Sequence, residues 1–204
     1  MSTQKNIIQH LVNRDRRLKS VIQLCPYPKS RKNPDIYMSL LSSIVSQQLS
    51  VKAADTIFNR FLDLYSDRYP QPKQLRRTPV SRLRAAGLSQ QKAQYLKNVA
   101  AFSLEDDGLD YQKLKRRTDE ELIEHLTQIK GVGQWTVEML LMFPFDRKDV
   151  FPVDDLGIQQ AIKKLYRLEH EGRELKRKML SISDNWKPYR SIVCKFLWHW
   201  KSLP

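Results

Sequence analysis

The sequence predicts an all-α fold. Three observations carry that reading: six glycines in 204 residues, frequent Leu, Lys, Arg and Gln, and few alternating β-branched stretches. Apolar periodicity places helices at about 6–19, 36–46 and 51–65. Thr78-Pro79 reads as an N-cap with an N1 proline, and Gly87 as the stop of the short helix between them. A helix over about 89–102 follows. Thr118, with Glu121 three residues on, is a capping box opening a helix that carries Leu122, Leu126 and Ile129 on one face. The remaining helices fall at about 134–143, 156–167, 171–180 and 188–200. Connections are short, and no repeat, low-complexity tract or Gly/Ser linker divides residues 1–204 into independent domains.

Composition removes several classes. With 41% apolar and 28% charged residues, the chain can bury a core and fold alone. Its longest apolar run, Met139 to Phe145, contains a proline and is far short of the roughly 20 residues that span a bilayer. Lys5, Arg14, Asp15, Arg16 and Arg17 leave no room for a secretory h-region, so the expectation is a protein that stays inside its cell. Cys25 and Cys194 are too few for a disulfide framework, a four-cysteine zinc site or a cysteine-ligated iron–sulfur cluster.

Charge is the first positive clue. Lys and Arg number 36 against 22 Asp and Glu, a balance of +14. Any one basic cluster, such as Lys113/Lys115/Arg116/Arg117, reads first as a solvated helix face. The summed excess fits neutralisation of phosphates on a polyanionic partner, whether DNA, RNA or an anionic membrane.

The stretch 126–136, Leu126 to Thr136, is the most informative. One helix ends, Gly131 and Gly133 flank Val132, and another helix starts at once. Glycines there permit positive φ and leave the backbone bare, so the N–H groups opening the second helix can approach a phosphate. That is the logic of a helix-hairpin-helix clamp; the bland alternative is an ordinary αα-hairpin. Beyond it, Asp149-Val150-Phe151-Pro152-Val153 delivers Asp154 and Asp155 to the start of a helix. One acid is explained as an N-cap. The preferred division has Asp154 capping and Asp155 free for chemistry, with a cap and a solvated acid as the alternative.

Two further features stand out. Ser46-Gln47-Gln48 ends an apolar helix, and a lone Leu49 precedes Ser50, a natural N-cap for the next. Such a leucine folds back onto the core or, in a DNA-binding protein, enters the base stack as a wedge. In the C-terminal helix, Ile192, Val193, Phe196, Leu197 and Trp200 form one stripe, while Trp198 lies roughly opposite, beside Cys194. Trp198 therefore covers a second core layer or walls a pocket with another aromatic such as Trp135.

Together these residues resemble the helix-hairpin-helix (HhH-GPD) DNA glycosylase superfamily, and most closely its alkylbase branch, the 3-methyladenine DNA glycosylases II. The similarity runs from about Leu40 to Trp200 and rests on five ordered motifs. They are Ser46-Gln47-Gln48-Leu49-Ser50 with Lys52-Ala53-Ala54; Gly87-Leu88-Ser89 with Lys92-Ala93; Ile129-Lys130-Gly131-Val132-Gly133 with Trp135-Thr136; Asp149-Val150-Phe151-Pro152 with Asp154-Asp155-Leu156-Gly157; and Trp186 to Ser191 with Leu197-Trp198. The resemblance implies a bilobal all-α fold with lobe one at about 36–145, lobe two from about 1–35 plus 146–204, and an active-site cleft between them. It implies that Asp155 is catalytic and that Trp135 and Trp198 line the base pocket. Leu49 is then the wedge with Ser50 beside it, and Gly131, Val132, Gly133, Gln134 and Thr136 grip the DNA backbone. Family hairpins often hold an alkali-metal ion, Na+ or K+, and here the main-chain carbonyls of Thr127, Ile129 and Val132 would do so; no other cofactor is required. The extra N-terminal β-domain of larger members does not fit in this length.

The same resemblance implies the reaction type. Relatives that also cut the strand have a lysine where this chain has Trp135, and tryptophan cannot form their Schiff base. The expectation is a monofunctional enzyme, acting as a monomer on alkylated duplex DNA and away from membranes, that flips out and excises 3-methyladenine-type purines in base excision repair. A non-catalytic helix-hairpin-helix DNA binder, with Asp155 only a cap, is the alternative. A bifunctional oxidised-base glycosylase is a second.

Overall fold

The structure, a computed structural model, describes residues 2–28 and 35–203, and every regular element among them is helical. The chain forms two compact units, one from Met1–Arg31 with Leu141–Pro204 and the other from Lys32–Leu140. In chain order come α1 (Ser2–Arg14) and α2 (Leu18–Leu24), then α3 (Ile36–Ser46), α4 (Val51–Leu62), α5 (Pro72–Arg77), α6 (Val80–Ala85) and α7 (Gln90–Phe102). They are followed by α8 (Tyr111–Leu114), α9 (Asp119–Thr127), α10 (Gln134–Met142), α11 (Leu156–Tyr166), α12 (Gly172–Ser183), a 3₁₀ turn at Asp184–Trp186 and α13 (Arg190–Ser202).

In the first unit, α13 packs against α2 and α11, and buries Ile192, Val193, Phe196 and Leu197. The single helix expected at 6–19 is instead two, broken at Asp15. One oxygen of that carboxylate accepts the Arg17 N–H at 3.2 Å, turning the chain. The other accepts the indole N–H of the fully buried Trp186 at 3.0 Å and the Tyr166 hydroxyl. A local helix signal loses to partners from the far end of the sequence.

In the second unit α7 is the hub, touching α3, α5 and α6. Helices α5 and α8 are both too short to register in the apolar periodicity. Thr78 is a correction: it does not cap α6 but ends α5, where its hydroxyl donates to Gln74 O at 2.9 Å. The capping box at α9 is present as the sequence predicts. The Thr118 hydroxyl accepts the Glu121 N–H at 3.2 Å, and the Glu121 carboxylate accepts the Thr118 N–H at 2.7 Å. Thr118→Ala removes one of these bonds and should cost about 1 kcal/mol, read as a fall of roughly 2–4 °C in the thermal midpoint for a chain of this size.

Candidate active site

The first unit holds Asp155 and Trp198 on elements that are fastened to each other. Arg190, opening α13, grips Asp149 with Nε to Oδ1 at 2.8 Å and Nη2 to Oδ2 at 3.0 Å, a bidentate pair with little geometric freedom. Beside it the Val150 N–H donates to Ser191 Oγ at 2.9 Å, and the Ser191 N–H to Lys148 O at 3.0 Å. The extended segment before α11 is therefore zipped onto the first turn of α13. Pro152 then leads into a turn in which the Asp155 N–H donates to Pro152 O at 3.0 Å.

Asp155 is 8% exposed and is itself the N-cap of α11. Its Oδ1 accepts the Ile158 N–H at 2.7 Å and the Trp198 indole N–H at 2.8 Å. This corrects the division of labour expected from the sequence. Asp154 does not cap; it stands at the surface in an ion pair with Lys176. The acid expected to be free does both jobs, because the cap position aims its carboxylate inward while the preceding residue points out.

Trp198 is half-buried and lies against Phe143, ring centroids 5.7 Å apart at 26°. Phe143 is 41% exposed, which leaves an apolar aromatic ledge open to solvent. Lys195, one turn before Trp198, places Nζ 5.3 Å from the Phe143 ring centre and 3.3 Å from Asp146. Burial lowers the Lys195 pKa and Asp146 pulls it back up. Phe143, Asp146 and Lys195 escape a sequence reading; an exposed aromatic beside a mostly buried lysine is visible only once α13 is folded.

The second unit holds the hairpin and the Leu49 turn. Gly131 has φ +107, and a Cβ there would lie 2.2 Å from Cγ of Tyr95. Backbone and space both demand glycine. Gly133 differs: its φ is not positive, and among the described residues no atom lies within 4 Å of the place a Cβ would take. Nothing among them requires a glycine there, and the space beside it is open. Val132 is buried between the helices and donates its N–H to Ile129 O at 2.9 Å. Gln134 is exposed at the start of α10, where first-turn amides have no intrahelical acceptor. Trp135 follows on α10, half-buried. Thr136 is a correction. It is 1% exposed, its N–H donates to Gly133 O at 2.9 Å, and its hydroxyl accepts from Gln47, so it faces inward and cannot grip a backbone.

Gln47 joins the two features, donating to Gly131 O at 3.2 Å and to Thr136 Oγ1 at 3.3 Å. Lys92 secures the same turn from α7 by donating to Val45 O and Gln47 O, both at 2.7 Å, and burial lowers its pKa. Gln48 takes φ 58, and Leu49 emerges 40% exposed. Ser50 caps α4 by accepting the Ala53 N–H at 3.3 Å. Val51, 79% exposed beside Leu49, is a second apolar tip that the sequence pattern does not single out. A polar pocket of about 470 Å³ lies between this turn and the hairpin, lined by Gln47, Gln48, Lys92 and Tyr95 among others.

The chain as a whole is similar to known proteins. The family model described as the HhH-GPD superfamily base excision DNA repair protein matches residues 41–188. The chain belongs to the HhH-GPD superfamily. Among its relatives in that family, DNA-3-methyladenine glycosylase 1 of Schizosaccharomyces pombe is 36% identical over 95% of this chain and 86% of its own. The solved structure of the Schizosaccharomyces pombe 3-methyladenine DNA glycosylase in complex with abasic DNA aligns at TM-score 0.87 and 36% identity, covering 95% of both chains. A Bacillus halodurans DNA-3-methyladenine glycosidase structure aligns at TM-score 0.79 and 36% identity, over 99% of this chain and 92% of that one. The HhH-GPD fold is thus the all-α fold expected from the sequence.

The two hairpin glycines separate cleanly by substitution. Gly131→Ala combines left-handed strain with a clash on Tyr95 and should destabilise by about 2–4 kcal/mol. Gly133→Ala should stay within about 0.5 kcal/mol of the parent. Denaturant unfolding of both variants checks the contrast.

Proposed function

We propose that the chain is a monofunctional DNA glycosylase that everts alkylated purines of the 3-methyladenine type from duplex DNA and hydrolyses their N-glycosidic bond. The observation that carries the mechanism is Asp155, a nearly buried carboxylate with one oxygen fixed by a helix N–H and an indole N–H. Relatives that share about a third of its residues across nearly the whole chain bear the same activity in their names.

Alkylation at N3 or N7 makes the purine cationic and a good leaving group. The C1′–N bond breaks with its electron pair going to the base, which departs neutral. Positive charge grows on the sugar meanwhile, and a fixed carboxylate stabilises it without reorganising. Water then bonds to C1′, and Asp155 takes its proton. The Trp198 face favours a cationic base by cation–π attraction of about 0.5–2 kcal/mol, and Phe143 extends that face. Trp135 is the second indole that the family motif assigns to the base. No amine stands at position 135 to form a Schiff base, which favours hydrolysis without strand cleavage.

On the DNA, Leu49 fills the gap left by the everted nucleotide, offsetting an unstacking cost of a few kcal/mol. Ser50 supports that turn as a cap. The exposed amides at Gly133 and Gln134 receive backbone phosphate, with Gly131 and Val132 shaping the turn. An alkali ion would be held by the carbonyls of Thr127, Ile129 and Val132, which are neutral oxygen donors: Thr127 closes α9 and its carbonyl is outside the helix ladder, while Ile129 O also accepts the Val132 N–H at 2.9 Å. Such an ion would add positive charge beside the phosphate.

Asp155→Asn isolates the charge, since asparagine caps helices as well as aspartate does. Base release from methylated duplex should fall about 10²–10³-fold while duplex affinity and melting temperature hold. Release at the parental rate would remove the catalytic role of Asp155, and absence of release by the parent itself would make the chain a binder with a capped helix. Gly133→Ala, in contrast, should weaken duplex binding several-fold, measured by fluorescence anisotropy, with the folding stability unchanged.

A further inference from the structure

Gly157 is the second residue of α11, with no positive φ to require glycine. What surrounds it does. A Cβ on Gly157 would lie 3.0 Å from Asp155 Oδ1, 3.1 Å from Trp198 Cδ1 and 3.1 Å from Trp198 Nε1. It would press on both ends of the bond by which the indole donates to the carboxylate. Neither end yields cheaply. Oδ1 is also anchored to the Ile158 N–H at 2.7 Å, and the indole is backed by the Phe143 ring.

We propose that Gly157 is a positioning residue: its missing side chain admits the Trp198 indole to Asp155, and the resulting bond fixes the carboxylate and the plane of the indole together. This rests on the reading of Asp155 as the catalytic carboxylate. The bond commits the indole N–H to Asp155, so that Trp198 presents to a purine its π-face, the part that prefers a cation. A single hydrogen bond thereby ties the group that stabilises the sugar charge to the group that selects the charged base. Alanine at Gly157 adds one methyl group and, being the better helix former, relieves a backbone cost. Loss of activity would therefore come from the displaced bond.

The test is a double-mutant cycle on Gly157→Ala and Trp198→Phe, using single-turnover release of bases from methylated duplex. If Gly157 acts through the bond, each single variant loses about tenfold or more in rate, and the double variant is no slower than the slower single. Affinity for an abasic-site duplex stays within about threefold, and the Trp198 indole N–H resonance of 15N-indole protein shifts in Gly157→Ala. Multiplicative losses, a Gly157→Ala enzyme with parental rate, or a Trp198→Phe enzyme with parental rate each overturn the proposal. Trp198→Phe adds no volume and so remains informative if Gly157→Ala fails to fold. Asp155→Asn run alongside separates the two readings. Parental release in that variant removes the catalytic role itself, whereas an inactive Asp155→Asn beside a fully active Gly157→Ala removes only the positioning role.

Discussion

The first unit is organised around a single carboxylate oxygen. Asp155 Oδ1 receives a main-chain N–H from α11 and a side-chain N–H from α13, so one atom joins the start of one helix to the last turns of another. A capping residue suits this duty. Its χ angles are set by main-chain geometry, and it has far fewer rotamers to lose than a longer acid. The Arg190 clamp on Asp149 and the Ser191 bonds to Lys148 and Val150 fix the same two elements at their other ends. With both ends fastened, the register between the 148–155 segment and α13 is over-determined. That is how a buried acid and an indole stay within 3 Å of each other in a fixed orientation.

The second unit solves a comparable problem with α7. Lys92, Tyr95 and Asn98 recur at intervals of three on one helix face. Lys92 holds the carbonyls before Leu49, Tyr95 packs where Gly131 leaves room, and Asn98 donates to Lys130 O at 3.0 Å. The Leu49 turn and the hairpin thus share one rigid backing, and Gln47 links them directly. The left-handed backbone at Gln48 is tolerable for that reason. Strain of this kind persists only where surrounding bonds allow no alternative.

What the sequence reveals and what it hides follow from the range of the forces involved. The capping box at Thr118 and the cap at Ser50 are legible because donor and acceptor sit three residues apart. The break at Asp15 is not legible, since Tyr166 and Trp186 supply the competing partners from 151 and 171 positions away. The acid pair is half legible: spacing shows that one caps, and only the folded turn, in which the Ile158 N–H meets Asp155, decides which. Thr136 sits in a motif that faces DNA by pattern, yet its hydroxyl is claimed by Gln47, 89 positions earlier. Gly133 and Gly131 look alike in sequence and differ entirely in cause, one emptied for a neighbour and the other for no internal neighbour among the described residues.

Lys195 bears on selectivity for a cationic base. A lone ammonium beneath Phe143 would repel any positive purine on the aromatic ledge, and cation–π attraction of about 0.5–2 kcal/mol is too small to absorb much repulsion. Asp146 eases the difficulty by pairing with Lys195, and it shares its single negative charge with Lys148. A carboxylate 3.3 Å away offsets much of the field of the Lys195 ammonium, while the three groups together keep one net positive charge. Lys195 then contributes its stem to the packing of Phe143 while its charge is directed at Asp146. On the proposed reading, the Asp146 carboxylate therefore reduces, without abolishing, the repulsion that a charged, alkylated base would meet on this ledge.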